Sequence, residues 1–256
     1  MKKNRKSSVA KPEHTEVKVH PWRVCPVGQH AVRTHPLHKS PSETSPQGSV
    51  TTRHFHCANN PSGKDVLNPL EIEAIAEDKF SQLNGSPCSL PLDFDNGSDF
   101  DDLIRGWVKY WNEVINPQNA LDPNMVKALI ASESGFDPET GAKKKGKNIA
   151  RRLMQITPQT VRALADEKGE LKDHYVAVKG KELLDPNLNI CAGVRWLFQK
   201  QVMASHRLGK AASWEEAVED YKGALKDRLA GKKVNSTVMG NFKKHLEIYK
   251  KCGKKK

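Results

Sequence analysis

The stretch Ala128-Leu129-Ile130-Ala131-Ser132-Glu133-Ser134-Gly135-Phe136 joins an apolar helical run to a small-residue turn, with one acid between them. Asp122-Pro123 caps and opens the helix, and Met125, Leu129 and Ile130 point inward. At about 3.6 residues per turn, Glu133 falls roughly 40° from Leu129 on the same flank, at a helix end where a side chain can face a cleft. A carboxyl seated there is poorly solvated, which disfavours its charged form and suits a group that gives up a proton near neutral pH. An isolated Ser-Glu-Ser is more often a surface glutamate ending an ordinary helix, so the features on either side decide.

Upstream, Ser98 is a candidate N-cap, and Asp99, Asp101 and Asp102 make an acidic first turn. Leu103, Trp107, Tyr110, Trp111 and Val114 then share one face of a helix ending near Asn116. This aromatic stripe reads as core rather than as a carbohydrate platform. Earlier still, Asn68-Pro69 starts a helix with Leu70, Ile72, Ile75, Ala76 and Phe80 as its stripe, and residues 81–96 read as a turn-rich linker. Downstream lies a polar, lysine-rich loop over residues 137–152. Thr157-Pro158 and Asp185-Pro186 each open a helix, the second carrying Ile190, Val194, Leu197 and Phe198. Ser213-x-x-Glu216 is a capping box for a helix bearing Trp214, Ala217 and Tyr221, and residues 238–249 close the fold. No strong strand is expected after residue 60, so the main domain is mostly α.

The chain of 256 residues has room for one sizeable domain and a smaller one. Hydrophobic residues at 37% and a mean hydropathy of -0.68 describe an ordinary core with much polar loop. No run approaches the roughly 18 apolar residues of a membrane span. The N-terminus is basic and lacks the apolar stretch of a secretory signal. The formal charge of +12 is concentrated in runs at Lys143–Lys147, Arg151-Arg152, Lys243-Lys244 and Lys254–Lys256, which favours attraction to a polyanion. No nucleic-acid motif accompanies the charge, and nucleic acid is not expected as a partner.

Five cysteines, Cys25, Cys57, Cys88, Cys191 and Cys252, do not suggest a disulfide framework. Cys191 fits an apolar helical pattern, Cys88 falls in a loop and Cys252 in a lysine tail. Seven of the ten histidines lie in the first 56 residues. Residues 50–56 alternate as a strand would, which puts His54 and His56 on one face. Few apolar residues and many soft ligands suggest a structural zinc site, with Cys25 and Cys57 as ligands and partners among His30, His35 and His56. The competing reading is a set of exposed histidines in an irregular loop. No acid is interleaved to act as a base there. The expected organisation is a disordered basic tail over 1–20, a His/Cys-rich module over 21–63, a helix and linker over 64–97, the main helical domain over 98–250 and a basic tail over 251–256.

From Glu133 onward the chain presents Glu133-Ser134-Gly135-Phe136, then Leu153-Met154-Gln155-Ile156-Thr157-Pro158-Gln159-Thr160, then Asp185-Pro186 with Asn189 and Gly193, then Asp220-Tyr221-Lys222-Gly223. This succession resembles the lytic transglycosylase family with the soluble-transglycosylase, lysozyme-like domain. The family's pattern is E-S-x-F, G-L-M-Q-x-x-P-x-T, D-P-x-x-N-x-x-x-G and an A-Y-N element. The resemblance covers about residues 104 to 250 and rests on four motifs in order.

The resemblance implies cleavage of peptidoglycan between N-acetylmuramic acid and N-acetylglucosamine without water, leaving 1,6-anhydro ends. Glu133 matches the family's glutamate, which acts first as acid and then as base. The resemblance further implies that Ser134 fixes the carboxyl's state, that Met154 and Gln155 line the saccharide groove, and that the Tyr221 hydroxyl orients Glu133. Asp185, Asn189 and Gly193 read as fold-keepers. No cofactor is implied for catalysis. Two departures stand out. Arg152 replaces a glycine, where it could narrow the groove or contact substrate carboxylates. Asp220-Tyr221-Lys222 replaces A-Y-N: a lysine near Glu133 would favour its ionised form, and Asp220 could serve as a second carboxylate for a hydrolytic course. The alternatives are therefore a muramidase, or a catalytically weak wall-binding or assembly module. Lacking a signal peptide, the protein is expected to reach the periplasm or a target cell by a non-Sec route. That fits an exported antibacterial effector with a secretion-apparatus partner and an immunity protein.

Overall fold

The structure, a computed structural model, describes residues 21–41, 46–60, 63, 65–141, 150, 152–233 and 236–252. The basic run at 143–147, Arg151, and the tails at 1–20 and 253–256 lie outside the described residues. The chain is mostly helical, with a small strand region before the helices. Strands β1 (Gln29–Val32), β2 (His35–Lys39), β3 (Ser49–Arg53) and β4 (His56–Asn59) form two antiparallel pairs, with Ala31 opposite Cys57 and Leu37 opposite Thr51. Contrary to the sequence reading, β3 ends at Arg53 and β4 begins at His56, so His54 and His56 do not share one continuous strand face. Two-residue strands β5 (Val66–Leu67) and β6 (Tyr175–Val176) pair in parallel and tie the start of the chain to its middle.

Helices α1 (Pro69–Lys79), α2 (Asp101–Ile115), α3 (Pro123–Ser134), α4 (Pro158–Leu164), α5 (Pro186–Leu208), α6 (Trp214–Tyr221), α7 (Ala224–Leu229) and α8 (Ser236–Cys252) make the body. Four of them begin alike. Asn68, Asp122, Thr157 and Asp185 accept a hydrogen bond from a backbone N–H of the first turn, and a proline follows each. Ser213 and Glu216 form the reciprocal box at α6. The expected cap at Ser98 is not used: α2 starts at Asp101, and the residue before it, Phe100, makes no side-chain cap.

The core is continuous. Trp107 and Trp111 of α2 are buried, and their indole N–H groups donate to Asn187 Oδ1 at 2.7 Å and the Cys191 carbonyl at 3.2 Å on α5. The aromatic stripe is therefore core, as its spacing implied. Trp22, Val66, Leu67, Ile72 and Ile75 join the same buried cluster. Arg23, with a fully buried side chain, pairs with Glu71 at 2.9 Å and with Asp65. A buried charge is costly unless paired, so this network fixes the first described residues against α1.

Two disulfides overturn the expectation that the cysteines form no framework. Cys25, just before β1, is joined to Cys57 of β4, and Cys88 to Cys252 across 164 residues. Cys252 ends α8 instead of lying in a frayed tail, while Cys191 is free and buried as expected. The zinc expectation falls with the first bridge. Disulfide sulfurs of Cys25 and Cys57 are not thiolate ligands. The ring Nδ1 atoms of His30, His35 and His56 lie 2.8, 2.9 and 2.9 Å from Asn60 Oδ1, the Arg33 carbonyl and the His54 carbonyl. Among the described residues no group of three or more candidate ligands is gathered. Among them, too, no helix is long and apolar enough to cross a membrane.

Candidate active site

Helix α3 is buried from Asn124 to Ala131 and emerges only in its last turn. It stops at Gly135, whose φ of 59° is the left-handed conformation that glycine adopts at least cost. Phe136 is fully buried behind it, with the Phe94 ring edge-on at 5.5 Å. Glu133 is thus carried on a rigid element whose next residues are locked. Its side chain is 18% exposed.

Glu133 opens on a cavity of about 420 Å³ whose walls come from Ala150 and four other parts of the chain. Ser132 and Glu133 come from α3, Gln155 and Thr157 from the turn before α4, and Tyr221 and Lys222 from the end of α6. Thr237 and Val238 come from the first turn of α8. Lys222 Nζ donates to Glu133 Oε1 at 2.5 Å and to Ser132 Oγ at 3.2 Å, with its side chain only 8% exposed. Among the described residues lining the cleft, Glu133 and Lys222 are the two charged side chains.

The turn carrying Gln155 is held from below. Asn189, fully buried on α5, accepts from the Met154 N–H at 3.0 Å and donates to the Leu183 carbonyl at 3.2 Å. Gly193, one turn on, lies against Met154: a Cβ there would meet Met154 Sδ at 2.3 Å. Both residues read as fold-keepers in the sequence, and here they seat the turn. Arg152 and Gln155 have φ of 67° and 49°. A left-handed backbone at 152 accounts for the glycine that the resemblance places there. Arg152 offsets the strain through its guanidinium, which donates to the Pro138 carbonyl at 3.0 Å and pairs with Glu139 at 2.9 Å. It ties the start of the loop after α3 to the turn before α4.

Of the expected site residues, Glu133, Gln155 and Tyr221 are brought together around one cavity. Gln155 Nε2 donates to the Arg152 carbonyl at 2.6 Å. The other expectations change. The Ser134 hydroxyl donates back along the helix to the Ile130 carbonyl at 3.2 Å, and it is Ser132 that reaches the cleft. Met154 is fully buried, so its thioether packs the core instead of lining the groove. The Tyr221 hydroxyl donates to the Met154 carbonyl at 2.7 Å and not to Glu133. Burial first, and the Glu133 charge second, push that phenol well above its ordinary value and keep it a donor. Asp220 is turned away, 2.8 Å from Arg207 and 3.1 Å from Lys200, so it is not a second carboxylate in the cleft. Sequence reading missed Ser132, Ala150, Thr157, Thr237 and Val238 as cleft residues. Lys222 drew notice there only as a departure from a motif.

A carboxyl on a rigid helix end, opening on a polar cleft, has the setting that general acid–base chemistry requires. Comparisons with the whole chain found no significant match among curated proteins or solved structures. The family described as transglycosylase SLT domain matches residues 110–233, a span that runs from α2 through α7 and contains Glu133, Gln155 and Lys222. Residues 110–233 therefore match the transglycosylase SLT domain, the lysozyme-like helical domain of lytic transglycosylases.

Proposed function

We propose that the chain cleaves the bond between N-acetylmuramic acid and N-acetylglucosamine without water, with Glu133 as acid and then base. As acid, Glu133 protonates the departing glycosidic oxygen while the substrate's own 2-acetamido group assists at the anomeric carbon. As base, the same carboxylate takes the proton of the muramoyl C6 hydroxyl, and that oxygen closes the 1,6-anhydro ring. One observation carries this reading over hydrolysis. Glu133 is the one carboxylate among the described residues lining the cleft, because Asp220 is engaged by Arg207 and Lys200. Two-carboxylate glycosidases hold a second acid across the scissile bond. Digestion of purified sacculi, with the soluble fragments weighed by mass spectrometry, tests it. Anhydro-muramoyl ends are expected, and Glu133→Gln is expected to abolish their release. Reducing ends in their place would mean a muramidase, and binding without cleavage a wall-binding module.

We further propose that the protein works in an oxidising compartment, the periplasm or a target cell's envelope, where its two disulfides persist. Delivery by a non-Sec route as an antibacterial effector, with a secretion-apparatus partner and an immunity protein, fits that destination. Because Trp22 and Arg23 are packed into the core, the informative deletion removes residues 1–20 alone. Loss of delivery with sacculus digestion retained supports a loading role, and unchanged delivery refutes it.

A further inference from the structure

The resting cleft poses a chemical problem for an acid catalyst. Glu133 is held at 2.5 Å by the Lys222 ammonium, and a carboxylate in an ion pair has no proton to give. The pair is nearly dry already, with side-chain exposures of 8% for Lys222 and 18% for Glu133, and the exposure that remains opens on the cleft. A glycan strand lying there removes that water. In a site without water an ion pair loses the solvation that favours it over the neutral acid and amine. The proton then needs to move only along the hydrogen bond that already exists.

We propose that Lys222 is the proton reservoir of Glu133. On glycan binding the Lys222 ammonium passes a proton to the Glu133 carboxylate, leaving a neutral amine and a neutral carboxylic acid. Glu133 gives that proton to the glycosidic oxygen as the C1–O bond breaks. It next takes the C6 hydroxyl proton as the anhydro ring closes, and when products leave it returns that proton to the Lys222 amine. Protons balance over the cycle, and neither bulk water nor another acid takes part. Lys222 acts through Glu133 and is a positioning residue, not a catalytic one. Ser132 supports this, since its hydroxyl donates to the Leu129 carbonyl at 2.9 Å and so turns a lone pair toward Lys222 Nζ.

The surroundings leave these two groups to exchange the proton between themselves. Among the described residues lining the cleft the titratable groups are Glu133, Lys222 and Tyr221. The Tyr221 phenol is pushed well up and is bound to the Met154 carbonyl. From the turn before α4 come Gln155 and Thr157, and from α8 come Thr237 and Val238, none of which titrates. The neighbouring Asp220 faces Lys200 and Arg207 on α5.

The proposal rests on Glu133 being the acid, and pH profiles separate the two ideas. The ion pair and the neutral pair hold the same number of protons, so the wild-type rate on sacculi is expected to be level from about pH 6 to 8. In Lys222→Arg the cation stays but cannot give up a proton. In Lys222→Asn there is no titrating group. Both variants must draw the proton from solvent. Their rate relative to wild type at each pH, a ratio in which titration of the substrate cancels, is expected to fall about tenfold per pH unit over that range. A constant ratio for Lys222→Arg, or a ratio for Lys222→Asn that rises with pH, would show that Lys222 is only a fixed charge and overturn the proposal. A wild-type rate that itself falls tenfold per unit overturns it without any variant. If Glu133→Gln is inactive and Lys222→Arg tracks wild type, the proposal alone fails. If Glu133→Gln keeps wild-type activity, the acid assignment fails and takes the proposal with it.

Discussion

Removing the Cys88–Cys252 bridge tests how the last helix is held over the cleft. Cys88 is anchored to the helix that carries Glu133. Its N–H donates to Asn124 Oδ1 at 2.7 Å, and its carbonyl accepts from Lys127 Nζ at 2.6 Å. The bridge thereby fastens the end of α8 to α3, while the other end of α8 supplies Thr237 and Val238 to the cleft. In the chain-entropy account, the stabilisation grows as about 1.5RT ln n with the size of the closed loop. Sequence separations of 164 and 32 for the two bridges then make Cys88–Cys252 worth about 1.5 kcal/mol more than Cys25–Cys57. Its own contribution is on the order of 5 kcal/mol as an upper value, and roughly 2–4 kcal/mol is usual. Replacing both members of each pair by serine in separate variants, and unfolding each in urea, measures the difference. The Cys88/Cys252 variant is expected to melt lower and to lose sacculus digestion at temperatures where the Cys25/Cys57 variant still works. A Cys88/Cys252 variant as stable as wild type, or more stable than the Cys25/Cys57 variant, would refute the reasoning.

Gly193→Ala puts a Cβ 2.3 Å from Met154 Sδ and 2.8 Å from Met154 Cβ, so it is expected to cost about 1–3 kcal/mol in urea unfolding. Tyr221→Phe leaves the Met154 carbonyl without its 2.7 Å donor and is expected to cost about 1–3 kcal/mol, again read by urea unfolding. Asp220→Asn breaks a buried pair with Arg207 and Lys200 and is expected to lower Tm. Below that Tm the products on sacculi should remain anhydro-muramoyl ends, and a switch in product type would restore Asp220 to the chemistry. Burial, and then the Lys244 charge, lower the His245 pKa from its usual 6.5. The unfolded chain then binds the proton more readily, so stability is expected to rise with pH through the window just below 6.5 and to be lost on acidification. Melting curves between pH 5 and 8 should show that slope, and His245→Gln should reduce it.

Much of this protein is legible without coordinates because the relevant forces act within one helical turn. Asn68-Pro69, Asp122-Pro123, Thr157-Pro158 and Asp185-Pro186 each bring an acceptor next to a residue with no N–H to satisfy, and each begins a helix. The apolar spacing that makes Trp107 and Trp111 core, and that sets Glu133 at the emerging end of α3, is equally local. Contacts across the fold were decided only by packing. The Tyr221 hydroxyl donates to the Met154 carbonyl, 67 residues away in sequence, and not to Glu133. Cys88 meets Cys252 because Phe242, Leu246 and Tyr249 bury one face of α8 in the core and carry its end to the right place. Cys57 of β4 meets Cys25 of the segment just before β1, a pairing that histidine spacing does not reveal. Lys222 stands in the sequence as one altered letter of a motif. Only the convergence of α3 with the end of α6 turns it into the partner of Glu133, because a salt bridge depends on distance in space and not on separation along the chain.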